Sequence, residues 1–134
     1  MRRALFLAVA FVCLAASPAT AQDPVQVDPK HNKVEFENDQ VRVLRFHLGQ
    51  KESTPMHAHP TNVIVSITDV HVKVTLADGK TEERTRKAGS VVYRTAEKHA
   101  IENLSDKDYE SVIIELKSTS AASKPAGAKQ KKQM

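Results

Sequence analysis

The chain has 134 residues, 40% of them hydrophobic and 27% charged, enough apolar surface for one packed domain and too much for whole-chain disorder. Its formal charge of +4 comes from the ends: of 20 Lys and Arg, Met1–Ala21 holds two and Ser118–Met134 four, neither with an acid. The middle carries 14 basic against 16 acidic residues with no Trp, which excludes a basic face or a base-stacking platform for nucleic acid.

Met1–Ala21 reads as an export signal. Arg2 and Arg3 supply a positive start, Ala4–Ala16 an apolar run too short to span a bilayer comfortably, and Ala19-Thr20-Ala21 the small residues of a cleavage site. Cleavage after Ala21 leaves a chain that begins at Gln22 and has no membrane span. Cys13 is the sole cysteine and lies inside the apolar run, so the mature chain has neither disulfide nor thiol chemistry. Export without disulfides points to a bacterial periplasm or medium. Ser118–Met134 has only Ser, Thr, Ala, Lys, Gln, Pro125 and Gly127 before Met134; it cannot bury enough surface to order itself and reads as a basic, disordered tail. The folded domain is expected over 28–117.

That domain reads as strands. Val41–Leu48 puts Leu44, Phe46 and Leu48 on one face, and Val63–Thr68 puts Val63, Val65 and Ile67 on one face. Val70–Leu76 alternates Val70, Val72, Val74 and Leu76 with His71, Lys73 and Thr75. Asp78-Gly79 then turns the chain into a polar return strand, Lys80–Lys87. Val91–Tyr93 and Ser111–Leu116 complete the set, and no segment shows a helical period with caps. Many short strands separated by turn signals give an all-β, closed or sandwiched antiparallel architecture.

The chemistry lies in the histidines. His57-Ala58-His59 places two imidazoles on one side of an extended segment, because residues i and i+2 of a strand point the same way. His99 follows about 40 residues later and can supply a third imidazole. Three neutral imidazoles suit a divalent Fe, Zn, Ni, Cu or Mn ion at about 2.0–2.2 Å, with one side of the ion left open.

The glycines complete the pattern. Gly49 with seven residues before His57-Ala58-His59, then Gly89 with nine before His99 and three more before Asn103, resembles the two-motif signature of the cupin superfamily. The resemblance covers Val41 to Leu116 and implies a small single-domain cupin: a six- to eight-stranded double-stranded β-helix, or jelly-roll barrel, with a metal inside. It also implies that His57, His59 and His99 are the metal ligands. The chain departs from the signature twice. Val63 or Ile64 stands where the first motif has a ligating Glu, and Thr95-Ala96-Glu97 replaces the Pro-x-Gly of the second. Three-His centres without that Glu occur among cupins, thiol dioxygenases included.

Other residues take blander roles. His71 shares its face with Lys73 and Thr75 and reads as a surface residue. His47 reads as a partly exposed structural residue, and His31 lies in a polar stretch that signals nothing. Asn103 reads as a strand-end hydrogen-bonding residue. Glu52, Glu97 and Glu102 are candidate replacement carboxylates, solvated by default, and Tyr93 and Arg94 are candidate substrate contacts. No catalytic residue is assigned. If the face of Val63, Val65 and Ile67 lines the barrel, Val63 points at the open side of the metal.

Three functions fit these residues. One is a metal-dependent, dioxygenase-like enzyme acting on a small molecule. The others are a module that sequesters a metal or small ligand, and a structural barrel that binds nothing. A homodimer formed through an edge strand is compatible with each. The export reading is checked by intact mass: chain recovered from the periplasm or medium of a secreting bacterium should begin at Gln22, and a retained Met1 would overturn it.

Overall fold

Period-two alternation governs nearly every element. The computed structural model describes residues 22–118. The expected signal segment and all but Ser118 of the expected tail lie outside the described residues. One short helix, α1 (Pro24–Val27), precedes β1 (Asn32–Glu37), β2 (Val41–Leu48), β3 (His57–His59), β4 (Asn62–Ser66) and β5 (Val70–Leu76). β6 (Thr81–Arg86), β7 (Val91–Arg94), β8 (Glu97–Asn103) and β9 (Tyr109–Leu116) follow. No helix among the described residues is long and apolar enough to cross a membrane.

The strands form two antiparallel sheets, one ordered β1-β2-β9-β4-β7 and the other β3-β8-β5-β6. Leu44, Phe46 and Leu48 of β2 with Tyr109 and Ile113 of β9 are buried against Val70, Val72 and Val74 of β5, so the sheets pack face to face. Each such side chain stabilises the fold by about 1.5–3 kcal/mol through apolar surface removed from water. Phe46 and Tyr109 meet edge to face, their centroids 5.2 Å apart. The β5–β6 hairpin turns at Gly79, whose φ of +84° is a left-handed conformation that suits glycine. The double-stranded β-helix expected from the sequence is the fold observed, built from nine strands where six to eight were expected.

Two elements escape the alternation. Asp23 caps α1 by accepting from the Val25 amide at 2.9 Å, and Pro24 opens the helix at a position that needs no N–H. Val25 packs on the core, so packing begins N-terminal to Asp28. β1 is an edge strand whose apolar residues stay largely uncovered, Val34 and Phe36 being 44% and 54% exposed, and a register shift between them sets Val34 against the core residue Leu44 but Phe36 against Val43 on the other face of β2. The shift breaks the two-residue period, which is why the sequence hides the strand.

The phase of β4 corrects a sequence expectation. Val63, Val65 and Ile67 do not line the barrel. Ile64 pairs with Ile113 of β9, a core residue, whereas Val63 pairs with Ile114 of β9 and Tyr93 of β7. Cross-strand partners share a face, so Asn62, Ile64 and Ser66 point inward, and Ile67 is 45% exposed. In Val63-Ile64-Val65 every position is apolar, so the alternation carries no phase. The inward positions at either end are polar, Asn62 at 3% and Ser66 at 1% exposure.

Ile64→Glu should therefore lower the stability of metal-free protein by several kcal/mol, through a carboxyl brought into the core, and Val63→Glu by about 1 kcal/mol or less. Urea melts of the two variants check this, and a larger loss from Val63→Glu would reverse the register.

Candidate metal centre

Antiparallel pairing of β3 with β8 assembles the centre. His57 lies directly opposite His99, and His59 opposite Glu97. The two-residue period aims His57 and His59 inward together, and all three imidazoles are buried. Ring centroids are 4.9 Å apart for His57–His59 and His57–His99, and 5.6 Å for His59–His99. One nitrogen from each lies within 4.8 Å of the others, a group that can hold a metal ion. The residues singled out by spacing thus come together.

Hydrogen bonds on the far side of each ring decide which nitrogen faces the cluster. His57 Nδ1–H donates to the Pro55 carbonyl at 2.9 Å, His59 Nδ1–H to Glu115 Oε1 at 2.7 Å, and His99 Nδ1–H to Glu97 Oε1 at 2.6 Å. All three partners are acceptors only, so each neutral ring carries its proton on Nδ1 and keeps a lone pair on Nε2. The Nε2 atoms of His57 and His99 are buried without any partner. Buried polar atoms are normally paired, and two such lone pairs beside a third imidazole fit a cation between them.

Both carboxylates are themselves held by arginine. Glu115 is 2% exposed and accepts from Arg42 Nε at 2.6 Å, while Arg42 also pairs with Asp23 at 2.7 Å. Burial pushes the Glu115 carboxyl up, but the hydrogen bonds from His59 and Arg42 outweigh it and hold it below its ordinary value. Arg84 grips Glu97 with two bonds of 2.9 Å. That contact first, and His99 after it, holds the Glu97 carboxyl down at about 2 despite partial burial. Glu97 therefore acts on His99 Nδ1 instead of replacing the missing ligand. Glu115 was not singled out in the sequence, although a lone acid in Val112-Ile113-Ile114-Glu115-Leu116, in phase with the inward Ile113, is the signal that marks it.

The imidazoles open on a cavity between the sheets that leaves about 30 Å³ for the centres of water-sized molecules, room for two or three waters. Arg84, Arg86 and Arg94 line it together with Asn62, Ile64 and Tyr109. Of the two candidate substrate contacts Arg94 lines this cavity, whereas Tyr93 alternates with it along β7, is 63% exposed and does not line it.

The remaining candidates are structural. His47 and His71 are exposed and pair with Asp108 and Glu83. Asn103 is fully buried, and its amide donates to the carbonyls of Leu48, Gly49 and Lys107. Glu102 pairs with Lys73. Glu52 accepts from the Gly49 amide at 2.9 Å and from Lys30, and lies 3.1 Å from His31. His31 is not the idle polar residue expected: it is 7% exposed, with Nδ1 2.7 Å from Asp28 and Nε2 facing Glu52. Pairing across 21 residues is invisible in the local pattern.

Burial first, and then the neighbouring His59, pushes His57 down to about 4; burial also lowers His99 against the pull of Glu97. Above the unfolded pKa of about 6.5 both states hold neutral imidazole, so nothing is gained or lost. Below it the unfolded chain takes up protons that the folded chain refuses, and metal-free protein loses stability until pH 4. The His57 share of that loss is at most about 3 kcal/mol. Urea midpoints from pH 7 to 4 should fall, and fall less in His57→Gln; identical slopes would place His57 outside the buried cluster.

No family model matches the chain, and no curated protein matches it. Solved structures do. A cupin domain from Bordetella pertussis superposes with a TM-score of 0.60 at 24% identity, covering 65% of this chain and 92% of that one. An uncharacterized conserved protein with a double-stranded β-helix domain, from Klebsiella pneumoniae, gives 0.50 at 17% identity over 62% of this chain and 72% of its own. By strand order, two-sheet packing and these likenesses, the chain has the cupin fold.

Proposed function

We propose that the chain is an exported metal-binding cupin, in which Nε2 of His57, His59 and His99 holds one divalent transition metal and the cavity admits a small molecule beside it. The observation that carries the reading is the pair of buried, partnerless Nε2 atoms on His57 and His99, with every Nδ1 already engaged. An ion bound there supplies a Lewis acid or, if redox-active, a centre for O₂ chemistry.

The chain's own residues do the rest. Glu97 and Glu115 fix the tautomer and orientation of His99 and His59, and each raises the basicity of the ring it touches. Arg84 and Arg42 keep those carboxylates ionised and in place. The ligand set itself is neutral, since no carboxylate reaches the cluster, and the inward Ile64 presents only hydrocarbon to the cavity. That leaves the cavity side open for an exchangeable ligand, as a centre acting on a small molecule requires.

Chain purified without a His-tag should carry close to one divalent transition metal, measured by elemental analysis. His59→Ala should remove most of it and His71→Ala none. Glu115→Gln should weaken the metal about 10- to 100-fold while keeping the ligands. Equal metal content in His59→Ala and wild type would refute the centre.

A further inference from the structure

The cavity beside the histidines carries positive charge that the protein compensates only in part, three arginines facing one lining carboxylate, Glu97. Its three arginines come from the edge strands of the two sheets, Arg84 and Arg86 from β6 and Arg94 from β7. Arg84 is satisfied by Glu82 outside and by Glu97 through two bonds. Arg86 has neutral partners only, Ser66 Oγ at 3.2 Å and Tyr109 OH at 3.0 Å. Among the described residues Arg94 has none: its Nε is buried and unpartnered, and neither it nor Arg86 has a carboxylate within ion-pair distance. Burial, and then the charges of Arg84 and Arg86, push the Arg94 guanidinium below its ordinary value against the weaker pull of Glu97 and Glu82. A guanidinium left in that state is a place where an anion would relieve both the desolvation and the repulsion.

A second orphan stands beside it. Asn62 is paired with Arg94 across the β4–β7 ladder and lines the same cavity. Its Nδ2 donates to the Pro60 carbonyl at 2.7 Å, which fixes the orientation of the amide, and its Oδ1 is buried with no donor. The wall of the cavity thus offers an unused charged donor and an unused neutral acceptor on adjacent strands.

We infer that the cavity binds a small carboxylate, held by Arg94 through its orphaned Nε, which bears a hydroxyl or amine that donates to Asn62 Oδ1. The planar guanidinium fork matches a carboxylate side-on, and a cavity with room for two or three waters suits an acid of a few non-hydrogen atoms. This names the class of small molecule for the function proposed above and rests on that reading for its role beside the metal. The carboxylate site itself uses Arg94 and Asn62 and no histidine, so the two can fail separately.

The test titrates glycolate, and its neutral counterpart glycolamide, into ¹⁵N-labelled chain with and without zinc, following the Arg94 Nε–H resonance. Glycolate should bind at least tenfold more tightly than glycolamide and shift that resonance, in metal-free chain as well. R94Q should weaken glycolate at least tenfold with zinc stoichiometry unchanged, and R94K should restore part of the loss. Equal affinity for glycolate and glycolamide, or an unaffected R94Q, overturns the inference, as does tighter binding of inorganic phosphate. Should R94Q fold poorly, the wild-type comparison of glycolate with glycolamide decides alone. Failure of the wild-type chain to take up zinc overturns the metal centre, and glycolate binding in that same chain leaves this site standing.

Discussion

His57 and His99 face each other across the β3–β8 ladder, and the site depends on that register. β3 has only three residues, two of them imidazoles, so its ladder to β8 is short and contributes little stability by itself. Its neighbours hold it in place: the Thr54 amide donates to the Ile101 carbonyl at 2.8 Å, and Thr54 Oγ1 accepts from the Ile101 amide at 3.0 Å. A one-residue slip would turn Ala58 inward and both histidines out. The buried Asn103 at the end of β8 resists such a slip, because its amide ties the strand to the β2 terminus and to the loop before β9.

Two chains of alternating charge converge on this pair of strands. One runs Asp23–Arg42–Glu115–His59 and the other Glu82–Arg84–Glu97–His99. In each, an arginine between two carboxylates presents one of them to the Nδ1 of an imidazole. Burying Glu115 costs several kcal/mol of hydration, which only close, well-aligned partners offset; its bonds of 2.6 and 2.7 Å supply them. The cupin signature puts a carboxylate among the ligands. Among the described residues no carboxylate joins the three imidazoles here; negative charge stands one hydrogen bond behind His99 and His59, on Glu97 and Glu115, and Ile64 lines the cavity. His57 differs from the other two, since its Nδ1 meets only the Pro55 carbonyl and has no carboxylate partner.

The arginines divide the barrel by polarity. The core around Phe46, Val72 and Val74 is apolar, while the edge strands β6 and β7 bring in three guanidiniums of which one is fully paired with acids. Proteins rarely leave buried charge unbalanced. Its persistence beside the histidines is what the inferred carboxylate would relieve, and a cation at the histidines would strengthen the preference for such an anion.

By itself the sequence determined the strands whose faces differ in polarity and the residues whose spacing is local. Leu44-Arg45-Phe46-His47-Leu48 and Val70 through Leu76 alternate cleanly, so water sorts their faces and the phase is readable. His57 and His59 share a face because any strand makes them do so, and the spacing from Gly89 to His99 and Asn103 carried the cupin resemblance. Tertiary structure decided what depends on partners distant in the chain. Val63-Ile64-Val65 is apolar at every position, so only pairing with β9 and β7 set its phase and turned Ile64 inward. Glu115 became a support for His59 across 56 residues, and His31 a buried partner of Glu52 across 21. No local pattern encodes such contacts, because a charged residue is buried only where the folded chain brings its counter-charge.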